Sequence, residues 1–107
     1  MKKLPKPPAA FQAFQKKYPE VAKAWEMLSA AGEVGPLDEP TRRLVKLAIA
    51  IGALREGAVH SAVRKALAGG ANREAVEQVI ALAATTIGLP PTVAVYTWVK
   101  EQLDESP

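Results

Sequence analysis

The sequence predicts an all-α domain. Apolar residues recur at spacings of three and four along most of the chain, residues suited to helix N-caps stand before those runs, and no stretch alternates with period two long enough to make a strand. The 107 residues amount to one domain. With 49% apolar but only 6% aromatic residues, its core must come from Ala, Val, Leu and Ile. A small aliphatic core of this kind is often completed by association with further copies.

The elements follow in order. Residues 1–8, MKKLPKPP, form a basic, Pro-rich arm before a single helical domain over 9–107. From Ala9, the spacing of Phe11, Phe14 and Tyr18 predicts a first helix. Pro19 suits the first turn of a second, where its missing N–H costs nothing. That helix puts Val21, Ala24, Trp25 and Leu28 on one face and ends near Gly32. GEVGPLDEP, residues 32–40, is a loop, and Asp38 is the N-cap of a third helix over 39–55.

The third helix, with Leu44, Val45, Leu47, Ile49, Ile51 and Leu54, has almost no polar face. A helix apolar all round is buried all round, so a second subunit is expected to cover part of it. Gly57 is expected to interrupt the chain before a helix over 58–69, whose stripe is Ala58, Val59, Ala62, Val63, Ala66 and Leu67. Gly69 and Gly70 offer a left-handed cap. Asn72 caps a fifth helix that presents Val76, Val79, Ile80, Leu82, Ala83 and Ile87 inward and stops at Gly88. Pro91 starts the last, carrying Val95, Trp98, Val99 and Leu103.

Composition removes several functions. With no cysteine there are no disulfides, thiolate metal ligands or thiol catalysis, and one histidine cannot build a multi-histidine metal site. No metal and no cofactor are expected. The net charge of +3 is slight, and no arginine-rich face accompanies it, so nucleic acid is not an expected partner. The basic N-terminus lacks an apolar segment after it, and the apolar run over 44–54 is too short for a bilayer. A cytoplasmic protein with no membrane partner is the expectation.

Three stretches in order, GPLDEPTRRLVKLAIAIGAL, EGAVHSAVRKALAGGANREAVEQVI and ALAATTIGLPPTVAVYTWV, resemble the carboxymuconolactone decarboxylase-like family, which also contains the AhpD-like alkylhydroperoxidases. The resemblance runs from Gly35 to Trp98. Its most telling part is the histidine-bearing helix followed by AL-x-x-GA-x-x-E, then an apolar helix ending in a G-x-P turn. It implies an AhpD-like bundle of about six helices, assembled as a trimer or hexamer, in the family's cysteine-free branch.

The peroxidase branch's two cysteines, histidine and upstream glutamate align with Arg55, Ala58, Ala62 and Arg43, so every position departs from that pattern. Peroxide reduction needs a thiolate, which this chain does not have. The histidine of the lactone decarboxylases also aligns with Ala62. His60 lies two residues away, roughly 200° around a helix, and is no simple substitute.

The candidate site is therefore read from the residues themselves. His60 lies at the edge of the apolar stripe and can act as a general acid or base. Glu56, one turn earlier, would orient its ring and set its tautomer. Arg64, one turn later, would hold a substrate carboxylate. The resemblance brings the G-x-P turn close to this helix, which would let Thr86 reach the same pocket. The expected chemistry is decarboxylation or isomerisation of a small carboxylated molecule. The alternative is a non-catalytic oligomeric scaffold, or a small-ligand-binding protein of the same fold, in which His60, Glu56 and Arg64 make ordinary surface contacts.

Overall fold

The computed structural model describes residues 9–105, and the basic arm over 1–8 lies outside them. Six helices make up the described chain: α1 (Ala9–Lys17), α2 (Pro19–Ala31), α3 (Glu39–Gly52), α4 (Glu56–Ala68), α5 (Arg73–Ile87) and α6 (Leu89–Glu105). No strand occurs among the described residues. They fall into two compact units, 9–37 with α1 and α2, and 38–105 with α3 to α6.

In the first unit α1 packs on α2, and only Tyr18 separates them. Pro19 opens α2 at its first position, as its lack of an N–H favours. Neither helix has a buried residue. Val21, Trp25 and Leu28, placed together by the sequence pattern, are all exposed.

In the second unit the caps stand where the sequence puts them. Asp38 Oδ1 accepts from the Thr41 N–H at 3.0 Å, and Asn72 Oδ1 accepts from the Ala75 N–H at 2.8 Å, each using one of the donors a helix start leaves over. Hydrogen bonding from Thr41, through its hydroxyl and then its N–H, holds the Asp38 carboxyl below the usual carboxylate range, with a smaller pull from Arg42. A depressed folded-state pKa contributes stability above the ordinary carboxylate range, and that contribution is lost as pH falls through the folded value. Urea midpoints taken from about pH 5 down to about pH 2 should therefore fall more steeply for the native chain than for Asp38→Asn, which keeps the acceptor but cannot ionise. Parallel curves would contradict this role.

The helices end for local reasons. The break after α3 is not at Gly57, which lies inside α4, but at Leu54, a non-glycine residue at φ 53°. Arg55 then returns to extended backbone as the N-cap of α4. Helix α3 thus ends at Gly52 and α4 begins at Glu56, two residues before the sequence reading. Gly88, at φ 88°, takes the left-handed region that a side chain would resist, which allows α6 to start at Leu89 directly after α5. The Thr92 hydroxyl donates to the Gly88 carbonyl at 2.9 Å and closes that corner.

Helix α3 packs on α4 and α5, while α6 packs on α5 and α4. The core between them is wholly aliphatic: Leu47 and Ile51 from α3, Val59, Val63 and Ala66 from α4, Val76 and Ile80 from α5, Val95, Val99 and Leu103 from α6. Arg73 fastens the start of α5 to the end of α6, donating to Asp104 at 3.0 Å and to the Leu103 carbonyl at 3.3 Å.

Helix α3 leaves part of its apolar surface uncovered within one chain, as its sequence leads one to expect: Ile49 is 67% exposed and Val45 is exposed beside it. One expectation about an inward face changes. Leu82 of α5, read as inward, is 63% exposed. In both helices the apolar stripe is wider than the surface the neighbouring helices can cover.

Candidate functional site

His60 sits on the second turn of α4, at the seam with α6. Its Nδ1 is 2.7 Å from Gln102 Oε1, and its Nε2 is 3.2 Å from Glu56 Oε2. Gln102 Nε2 also donates to the His60 carbonyl at 3.1 Å, which fixes which way round the amide lies. Oε1 must then be an acceptor, so Nδ1 carries a proton. In the neutral ring Nε2 is therefore the bare nitrogen. When a second proton is present, it lies between Nε2 and the Glu56 carboxylate.

Glu56 comes to this place for two reasons. It stands one helical turn before His60, and its carboxylate belongs in the first turn of α4, where the helix dipole favours negative charge. The pair is open to solvent on one side, with side chains 37% exposed for His60 and 57% for Glu56. An ion pair so exposed is worth about 0–1 kcal/mol. Glu56 is therefore displaced at little cost.

Arg64 follows on the same ridge but turns away from His60, and its Nη2 donates to Ser61 Oγ at 3.3 Å. Its Nε is buried with no hydrogen-bond partner. Next to it, burial lowers the pKa of Lys65, and the positive charges of Lys46, Arg43 and Arg64 lower it further. The outer surface of α3 and α4 around Arg64 is thus a positive zone.

Thr86 is elsewhere. It stands on the wall of an open groove of about 380 Å³ between α3 and α5, and none of His60, Glu56 or Arg64 lines that groove. The expected approach of Thr86 to the histidine does not occur, because α5 meets α3 along this edge while His60 faces α6. Apart from Thr41 and Thr86 the groove walls are apolar, with Leu44, Val45, Ala48 and Leu82 among them and Ile51 in the floor.

The structure thus joins His60 to Glu56, places Arg64 on the same ridge without contact, and separates Thr86. It adds Gln102, which the sequence reading did not single out. Its signal was faint: a glutamine three residues after Val99 and four after Trp98, on the inner stripe of α6, where an apolar residue would be usual. Among the described residues no three His, Cys, Asp or Glu side chains are grouped so as to hold a metal ion. No helix there is long and apolar enough to cross a membrane.

Residues 19–101 match the model of the Carboxymuconolactone decarboxylase family. No curated protein and no solved structure matches the chain.

Proposed function

Since the chain belongs to the carboxymuconolactone decarboxylase family, we propose that it performs acid–base chemistry on a small carboxylated molecule at the α4–α6 seam. The observation that carries this reading is the clamp on His60. Gln102 holds the ring and leaves Nε2 as the basic nitrogen. Glu56 stands beside that nitrogen, ready to stabilise the imidazolium that forms when it takes a proton. Two reactions fit. In an isomerisation Nε2 takes the proton from the carbon next to the carboxylate and returns it at another position. In a decarboxylation the imidazolium gives its proton to the carbanion left when carbon dioxide departs. The positive charge of Arg64, with those of Lys65, Arg43 and Lys46, attracts the substrate carboxylate at longer range.

The test is a screen of small carboxylic acids and their lactones for turnover, followed by His60→Ala in any case that scores. General acid–base groups contribute about 10²–10⁴-fold, and the variant should lose that much in kcat while keeping its helical content. Unchanged turnover in His60→Ala would refute the assignment.

A second reading has its own support. The groove between α3 and α5 holds no titratable side chain, which suits an apolar ligand or a neighbouring chain rather than catalysis. On this reading the protein is a non-catalytic oligomer, and His60→Ala costs only the hydrogen bond to Gln102, about 1 kcal/mol of stability. Both readings share self-association, as a trimer or hexamer. Ile49, Val45 and Leu82 are too exposed and too apolar to suit a lone chain in water.

A further inference from the structure

We propose that the α1–α2 segment of one copy docks into the α3–α5 groove of a second copy. The proposal rests on the self-association above and adds which two surfaces meet.

The first surface is a seam. Phe11, Tyr18 and Trp25 repeat every seven residues, and so do Phe14, Val21 and Leu28, offset by three. That is the spacing with which a helix presents one continuous apolar ridge to a partner. Tyr18 leaves helical backbone between α1 and α2 (φ −127°, ψ 72°), so the apolar stripe is carried as two segments, one on each helix, joined at Tyr18. Tyr18 N–H donates to the Phe14 carbonyl at 2.9 Å, Val21 N–H donates to the Tyr18 carbonyl at 3.1 Å, and the Phe14 and Tyr18 rings lie 5.1 Å apart. All six side chains are exposed, Trp25 by 57% and Leu28 by 70%. Six side chains of this size, each about half exposed, present roughly 600 Å² of apolar surface. A stable interface buries about 800 Å² per partner, so the seam supplies most of one.

The second surface is concave. The groove of about 380 Å³ is walled by apolar residues and carries no charge. The seam matches it in this respect. The positions flanking it are mainly small or neutral, with Ala22, Ala24 and Ser29 along α2, while Lys16, Glu20, Lys23 and Glu26 point elsewhere on the helix turn. A ridge with i, i+3, i+4 and i+7 anchors entering an apolar groove is a common mode of helix recognition.

Shape decides between partners. Seam against seam would use one feature and leave the groove open on every copy. Seam into groove covers both features, and because the two surfaces differ the contact is head-to-tail, which closes into a ring of three or more when the rotation allows.

The absence of cysteine makes the test clean. Ala24→Cys places a single thiol beside the seam and Ala48→Cys a single thiol on the groove wall. Each full chain is purified alone, the two are mixed and allowed to exchange, and a short bismaleimide is added. The expected product is a cross-linked pair joining one chain of each kind, at a yield several-fold above that from either variant alone. Light scattering on the untreated mixture reads self-association separately. An oligomer whose main product joins two Ala24→Cys chains, or two Ala48→Cys chains, would overturn the pairing while leaving self-association intact. A monomer with no interchain product would overturn both. His60→Ala assays are unaffected by either outcome.

Discussion

Ile51→Asp is expected to unfold the α3–α6 unit. Ile51 is 1% exposed, packed in the aliphatic core and forming the floor of the groove. The substitution removes apolar contacts worth about 2–5 kcal/mol. It also places a carboxylate where no cation or donor of the core can meet it, at a further cost of several kcal/mol. Small domains hold about 5–15 kcal/mol in total, so little or nothing is left. Far-UV circular dichroism at 25 °C should show loss of most helical signal, or a urea transition displaced almost to zero denaturant. A cooperative transition close to that of the native chain would show that Ile51 is not part of the core.

Ile49→Lys is the contrasting case. It lies two residues away on the same helix, yet its side chain is 67% exposed within one chain. An exposed substitution of this kind usually changes folding stability by no more than about 0.5 kcal/mol. In an assembly that covers this face, the same ammonium group would be buried without a partner, a cost that defeats the contact. The expected result is a helical protein whose light-scattering mass falls to that of the 11.4 kDa chain. If Ile49→Lys keeps the native mass, the outer face of α3 is not an interface. The two variants together separate the part of the apolar stripe that serves the subunit from the part proposed to serve the assembly.

What could be read from the sequence was mostly local. Asp38 and Asn72 mark helix starts because capping involves residues three apart, and Gly88 marks an end because its backbone conformation is its own property. Glu56 was legible beside His60 for the same reason, being one turn away. The break at Leu54 was hidden, since an apolar residue at positive φ contradicts local preference and is imposed by the packing of α3 against α4. Gly57 looked like the better breaker and is helical. The exposure of Leu82 was hidden too, because periodicity shows that a face is apolar without showing what covers it. Gln102 lies 42 residues from His60, and no spacing rule reaches that far.

That separation also has a meaning in time. A ribosome adds about 5–20 residues per second, so Gln102 is made roughly two to eight seconds after His60. During that interval α5 is made and can pack on α3, while the part of the core that α6 supplies with Val95, Val99 and Leu103 is still open. The ring of His60 can settle into its one tautomer only when the last helix arrives. Arrival of α6 closes the core and brings Gln102 to His60 in the same event, so cover for the apolar faces and assembly of the proposed site come together.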